Sequence, residues 1–298
     1  MTRPLPNGRD VERGPDRVPP PRISIVVAVR NAASTLAECL DSIRAQTYSD
    51  KELIVIDGGS TDGTVELLRQ RESTIDYWIS EPDRGIYHAW NKGLAQATGD
   101  WICFLGADDY FWSPAALASL AQPLQTLDPA TARVVYGRVA VVNAGKEELY
   151  VVGEDWRHAG RHFRQVMSIP HPGLLHHRSL FEQLGPFDES YRISGDYELL
   201  LRELKDAPAL FAEDSGIVVA MRAGGISSRP ELSLLQLREV RRAQICHGFP
   251  LPGSRWIMAM ARVCLRFLLW HALGENHARI LLDAGRRLQG KPLFWTRT

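Results

Sequence analysis

Ile23-Ser24-Ile25-Val26-Val27-Ala28-Val29 is a continuous, largely β-branched run, the pattern of a strand buried on both faces. Reading outward from it, Ser34–Ala45 places Leu36, Leu40 and Ile43 at helical spacing, with Ser34 or Asn31 as the candidate N-cap. Leu53–Ile56 reads as a second buried strand, and Thr61 or Asp62 caps a helix running through Gln70. Tyr77–Ser80 reads as a short strand, Ile86–Ala97 as a helix closed by Gly99, and Trp101–Leu105 as a fourth buried strand. Strand and helix alternate with short turns. That order predicts an α/β fold: right-handed crossovers and a mostly parallel central sheet with helices on both faces.

Beyond about residue 113 the rhythm changes. Val134–Val142 and Tyr150–Val152, joined by Asn143-Ala144-Gly145-Lys146, predict a small antiparallel extension. Trp156–Arg178 reads as a loop dense in His and Arg, followed by a helix over Tyr197–Leu204 and a strand over Ile217–Met221. From Leu232 onward the period is helical. The expected divisions are a disordered tail over 1–21, rich in Pro and Arg, a domain over 22–230, and a helical C-terminal extension over 231–298.

The 298 residues are 45% hydrophobic and 23% charged, which excludes a disordered, collagen-like or disulfide-scaffold chain. Thirty-five Lys and Arg balance thirty-five Asp and Glu, so no global basic field is available for nucleic acid. Cys39, Cys103, Cys246 and Cys264 form no Cys-x-x-Cys pair and read as buried or half-buried free thiols of a reducing compartment. Met1–Arg22 lacks the apolar core of a signal peptide, and no run of about 18 uncharged apolar residues predicts a membrane-spanning helix. The expected location is cytoplasmic.

In an open α/β sheet, ligands bind outside the carboxyl ends of the strands, so the segments following each strand carry the chemistry. After the second strand comes Asp57-Gly58-Gly59-Ser60-Thr61-Asp62-Gly63-Thr64. Two readings of Asp57 are open: it accepts hydrogen bonds from a base or ribose, or the turn's own N–H groups satisfy it. After the fourth strand, the adjacent carboxylates of Asp108 and Asp109 repel each other and invite a hard divalent cation, Mg²⁺ or Mn²⁺. Asp83 and Arg84 line either a cleft or a surface turn. Asp196 is either a helix N-cap or a general base. His171, in Pro170-His171-Pro172-Gly173, is expected near the active site, in contact with acceptor or donor. His158 and His162 have a zinc-like interval, but no predicted helix or strand frames them. Neither Gly-x-Gly-x-x-Gly nor a P-loop sequence follows the first strand, against a dinucleotide oxidoreductase and a P-loop NTPase.

In order and spacing, Ile25–Asn31, Asp57–Thr64, Asp83-Arg84-Gly85-Ile86-Tyr87, Asn91-Lys92-Gly93, Ala97-Thr98-Gly99-Asp100, Asp108-Asp109 and Gly195-Asp196-Tyr197-Glu198 resemble the family-two glycosyltransferases of the GT-A fold. The resemblance runs from Arg22 to Arg229, and within the family it is nearest the bacterial polysaccharide-biosynthesis transferases of the colanic acid and O-antigen type. It implies inverting transfer from a nucleotide-diphosphate sugar to a hydroxyl of a glycan or lipid-linked acceptor. In that scheme Asp196 is the catalytic base and Asp109 holds the metal. Asp57, Asp83, Arg84, Lys92 and Asp108 bind the nucleotide sugar, together with Arg30 and Asn31, which stand where the family often has Pro-x-Tyr-Asn. The Gln-x-x-Arg-Trp signature of processive synthases is missing, since Pro252 stands at the Gln position before Arg255-Trp256, so single-sugar transfer is expected.

Arg255–His271 lies outside the resemblance. It mixes Trp, Phe, Leu and Met with Arg262 and Arg266. It reads as a helix packed on protein, or as an interfacial helix touching the inner face of the plasma membrane. Two rival functions remain at this point: a nucleotidyltransferase on a similar sheet, and a non-catalytic sugar-nucleotide-binding protein.

Overall fold

The computed structural model describes residues 20–225, 232–288, 290, 293, 295 and 296. The expected disordered tail therefore lies almost entirely outside the described residues.

The first half is built as the spacing predicts: β1 (Ile23–Val29), α1 (Leu36–Arg44), β2 (Lys51–Asp57), α2 (Thr64–Arg71), β3 (Tyr77–Ser80), α3 (Ile86–Gln96) and β4 (Trp101–Gly106). These strands are parallel in the order β3-β2-β1-β4. The remainder adds β5 (Tyr110–Phe111), α4 (Ala116–Ala121), β6 (Val134–Tyr136), β7 (Arg138–Val142), β8 (Glu148–Val152), α5 (Trp156–Phe163), β9 (Leu175–His177), α6 (Arg178–Leu184) and α7 (Gly195–Leu204). It ends with β10 (Leu210–Phe211), β11 (Ile217–Arg222), α8 (Ser233–Cys246) and α9 (Ser254–Leu288). β9 joins β4 antiparallel and carries β6 and β10 beyond it, completing seven strands. β5, β11, β7 and β8 form a second, four-stranded sheet.

Alternation within β1 explains why it is apolar at every position but Ser24. Ile23, Ile25, Val27 and Val29 enter a core shared with α1 and α4, while Val26 enters a second core with α3, α7 and α8. Each fully buried side chain of this size contributes roughly 1.5–3 kcal/mol relative to exposure. α3 lies close on the sheet at Gly93, where an added Cβ would collide with Val26 and meet Ile56 at 3.4 Å. That approach accounts for the glycine of Asn91-Lys92-Gly93.

The structure corrects several expectations. The predicted strand over 134–142 is broken at Gly137, where the chain passes from one sheet to the other and an added Cβ would strike Ser215 and Val218; only β7 and β8 form the antiparallel hairpin. The His-rich "loop" contains α5 and β9, so His158 and His162 do lie one turn apart on a helix. Neither Ser34 nor Asn31 caps α1, whose N-cap is Thr35 without a side-chain bond; Gly63 is the residue at the N-cap of α2, with the Asp62 carboxylate just before it accepting the N–H of Thr64, the first residue of that helix. Cys39 and Cys103 are buried free thiols, but Cys246 and Cys264 are exposed. Finally, α9 contains an 18-residue stretch of mean hydropathy 1.4, long and apolar enough to cross a membrane by length and composition, with none of it buried.

Candidate active site

Parallel register brings the strand ends together: Val29 pairs with Asp57, Asp57 with Ser80, and Ala28 with Gly106. The turns after β1, β2, β3 and β4 therefore share one edge of the sheet. There the chain cross-links itself. Asn31, at φ 52°, donates its N–H to Ser60 Oγ at 2.7 Å and accepts Thr61 N–H on Oδ1 at 2.9 Å. Asp62 accepts the N–H groups of Ala33 and Thr64, each at 3.1 Å.

Asp57 is fully buried beneath this turn. Its carboxylate accepts the N–H groups of Gly59 and Ser60 at 3.2 and 3.0 Å, the Ser80 hydroxyl at 2.6 Å, and the Ser60 hydroxyl. These four bonds hold the Asp57 carboxylate in place at the end of β2. Asp83 lies against the face of Gly58, where any Cβ would strike its carboxyl, and its Oδ1 accepts the Gly85 N–H at 3.0 Å. Arg30 is exposed and makes no hydrogen bond or ion pair among the described residues. Arg84 is paired with Glu189, and Lys92 reaches back from α3 to Glu81 at 2.7 Å and the Pro82 carbonyl at 3.3 Å, bracing the turn after β3.

After β4, the two carboxylates converge. A Cβ on Gly106 would lie 2.8 Å from Asp108 Oδ1 and 2.9 Å from Asp109 Oδ2. Asp109 is 6% exposed and accepts the Arg222 N–H at 3.2 Å. Burial and the neighbouring Asp108 charge push its carboxyl well above the usual range. The Arg222 guanidinium is turned away to Glu38 and lies over Tyr110, 5.6 Å from the ring centre. Two hard oxygen donors short of positive charge fit one side of a Mg²⁺ or Mn²⁺ shell, with phosphates and water as the remaining ligands. Among the described residues no group of three or more His, Cys, Asp or Glu side chains gathers as a metal cage.

Asp196 stands in the first turn of α7, half-buried. Its Oδ1 accepts the Tyr197 N–H at 2.8 Å and the Tyr87 hydroxyl at 3.3 Å. Burial raises its pKa to about 6, against the lowering effect of those two bonds. Tyr87 lies in the first turn of α3, directly after Asp83-Arg84-Gly85, so Asp196 and the end of the sheet flank one helix start. Asn91 of α3 fixes the approach to α7 by bonding the Phe187 N–H and carbonyl at 3.0 and 2.9 Å. His171 is 6% exposed and stacked 5.0 Å from Trp90 in an aromatic core with Phe104 and His176, and Trp90 in turn packs 5.6 Å from the Tyr87 ring. The Ala97-Thr98-Gly99-Asp100 motif lies at the other end of the strands, where Thr98 and Gly99 bond the buried Glu52. Sequence reading did not single out Arg222 or Glu189, nor Tyr87 as the partner of Asp196. No local pattern marks them, because each partner is distant in the chain.

Residues 24–182 match the family model Glycosyl transferase family 2. The chain belongs to this family. A PGL/p-HBAD biosynthesis glycosyltransferase of Mycobacterium bovis is 33% identical over 215 residues, covering 70% of this chain and 80% of the relative. Two solved structures share the fold of this glycosyltransferase. The mannosyltransferase PcManGT from Pyrobaculum calidifontis, in complex with GDP-Man and Mn²⁺, superposes with a TM-score of 0.59 at 19% identity, over 92% of this chain and 82% of that one. S. aureus TarS 1–349, in complex with UDP-GlcNAc, gives 0.57 at 16% identity, over 90% and 78%. At such identities the likeness concerns the fold alone: a GT-A-type mixed α/β sheet with surrounding helices. Family membership sets aside both the nucleotidyltransferase and the non-catalytic binding protein: this is a glycosyltransferase.

Proposed function

We propose that this glycosyltransferase transfers a single sugar, with inversion, from a nucleotide-diphosphate donor to a hydroxyl of a glycan or lipid-linked acceptor in bacterial surface polysaccharide assembly. The observation that carries the reading is Asp196: one half-buried carboxylate whose pKa of about 6 suits it to take a proton near neutrality, held by Tyr87 beside the nucleotide edge of the sheet. The acceptor O–H gives its proton to Asp196 as its oxygen bonds to the anomeric carbon. The bond from that carbon to the β-phosphate oxygen breaks with its electron pair, and the nucleoside diphosphate departs. One base and one displacement give inversion. No second carboxylate is needed as nucleophile.

Asp109 would hold a Mg²⁺ or Mn²⁺ ion, with Asp108 facing the ribose or donor sugar. A bound divalent ion supplies positive charge where negative charge develops on the departing phosphate. Asp83 against Gly58 and the exposed Arg30 offer an acceptor and a cation to the nucleotide, while Asp57, Asn31 and Lys92 hold the turns that present them. Arg84, paired with Glu189, ties this edge to the loop before α7.

The test combines donor binding and turnover. UDP-, GDP- and dTDP-sugars with and without Mn²⁺ are screened for a rise in melting temperature, and transfer is then assayed in Asp109→Ala and Asp196→Asn. Loss of the metal response in the first, and retained donor binding without transfer in the second, support the reading. Undiminished transfer by Asp196→Asn removes Asp196 as the base.

The C-terminal helix supports a second element of the proposal. Trp256, Ala259, Met260 and Val263 turn inward, while Ile257, Met258, Leu265, Phe267 and Leu268 are exposed beside Arg255 and Arg262. This face suits the anionic inner surface of the plasma membrane, where a lipid-linked acceptor resides.

A further inference from the structure

α8 lies beyond residues 24–182, the part of the chain that matches the family, yet it belongs to the same core: Val240 and Ala243 pack with Tyr197 and Leu200. On the same helix Glu239 is 6% exposed. A buried carboxylate is costly unless hydrogen bonds satisfy it. Glu239 meets that need from one strip of backbone. Its Oε1 accepts the Arg192 N–H at 2.8 Å, and its Oε2 accepts the Ile193 and Ser194 N–H groups, both at 2.9 Å. The Ser194 hydroxyl adds a longer bond to the Gln236 carbonyl at 3.4 Å. Three consecutive N–H groups gripped by one side chain fix the direction of the chain as it enters α7, and the second residue of α7 is Asp196. From the other side Gly195 is pressed on the Tyr87 ring, 2.8 Å from where a Cβ would stand. Asp196 is thus aimed between a clamp on α8 and an aromatic face on α3.

We infer that Glu239 is a positioning residue for the reaction: through the backbone of Arg192–Ser194 it sets the place of the Asp196 carboxylate and keeps a negative charge near it. This rests on Asp196 being the base. The titratable groups acting on Asp196 are Tyr87 of α3, whose hydroxyl bond lowers its pKa, and Glu239 of α8, whose negative charge raises it.

Glu239→Gln is the informative variant. Its carbonyl oxygen can still accept two of the three N–H groups, but its NH₂ faces the third, donor against donor. The charge is gone, so the Asp196 pKa falls. The measurements, on the full chain, are kcat against pH, donor KM, and the rise in melting temperature caused by a donor sugar nucleotide. Expected for Glu239→Gln are a kcat lowered about tenfold or more by misplacement, an ascending pH limb displaced to lower pH, and an unchanged donor KM and donor-induced shift. Glu239→Asp keeps the charge but shortens the reach; it should lower kcat and leave the limb where it is. A Glu239→Gln enzyme with the wild-type limb overturns the inference, whether its rate is unchanged or merely reduced together with donor binding, and so does full activity in Glu239→Asp if Glu239→Gln does not fold. Asp196→Asn separates the two readings: full transfer by that variant removes the base assignment itself, whereas an inactive Asp196→Asn with an unmoved Glu239→Gln limb defeats only the role of Glu239.

Discussion

The hydroxyl of Tyr87 stands 3.3 Å from Oδ1 of Asp196 and donates to it across 109 positions of sequence. A donor on a carboxylate favours the charged form, so this bond lowers a pKa that burial raises. Tyr87→Phe removes the donor and keeps the ring against Gly195. The pKa of Asp196 then rises further, and the ascending limb of kcat against pH moves to higher pH. At pH 6 the rate falls severalfold; at pH 8 it approaches wild type. An unmoved limb, or one displaced to lower pH, would show that Tyr87 does not act on the ionising group.

The same carboxylate makes a stability prediction of definite sign. Its folded pKa of about 6 lies above the ordinary 3.8, so its contribution is fully present below the unfolded value and is lost as pH rises through about 6. At pH 7.5 the wild type therefore folds around a charge it would rather not bury. Asp196→Asn keeps an oxygen to accept the Tyr87 hydroxyl and removes the charge. It should unfold at a higher temperature than wild type at pH 7.5, by an amount corresponding to roughly 1–2 kcal/mol after allowing for partial exposure. The advantage should shrink toward pH 4. Equal melting temperatures across that range would contradict the raised pKa.

How far the sequence discloses the molecule depends on the range of the interaction. β1 is legible to its ends because both its faces are buried, and burial writes itself as a run apolar at every position but Ser24. Asp108-Asp109 is legible because two adjacent carboxylates carry their meaning locally. α5 is not read as a helix, although Trp156, Ala159 and Phe163 mark its inner stripe; the His and Arg between them mask the period. Gly137 looks like any glycine in a β-rich stretch, and that a Cβ there would collide with Ser215 and Val218 is visible only in three dimensions. Glu239 reads as one more charge on an amphipathic helix, since its partners at 192–194 are 45 to 47 residues away.

Gly106 tests the acidic pair. Its missing Cβ leaves the space in which Asp108 and Asp109 converge. In Gly106→Ala the intruded atoms are the ends of two side chains, not backbone, so the fold should absorb the change for about 1 kcal/mol. The carboxylates, however, must part. The expected result is a large rise in the Mn²⁺ concentration needed for half-maximal transfer, with little change in melting temperature without metal. An unaltered metal requirement would mean that convergence over Gly106 is unrelated to metal binding.

Glu52 predicts the opposite outcome at the far end of the strands. It accepts the Ser24 hydroxyl, the Thr98 N–H and hydroxyl, and the Gly99 N–H. Glu52→Ala leaves buried donors unmatched and should cost about 3 kcal/mol, read as a lower denaturation midpoint. Below that midpoint kcat, donor KM and the pH limb should match wild type. A displaced pH limb would tie the Ala97-Thr98-Gly99-Asp100 motif to chemistry instead of to folding.

The outer face of α9 decides between lipid and protein as its neighbour. Leu265 and Leu268 are 53% and 66% exposed, one turn apart on the same face. Burying such side chains in the interfacial region contributes about 0.8 kcal/mol per methylene, and nearby Arg255 and Arg262 add attraction to anionic headgroups. Full-length protein should float with phosphatidylglycerol-containing vesicles and much less with neutral ones. Leu265→Glu with Leu268→Glu places two carboxylates where acyl chains would lie. It should abolish flotation at physiological salt while leaving transfer to a water-soluble acceptor unchanged. Should wild type ignore both vesicle types and elute as a dimer that the double variant converts to a monomer, the face is a contact between two copies, and the membrane assignment falls.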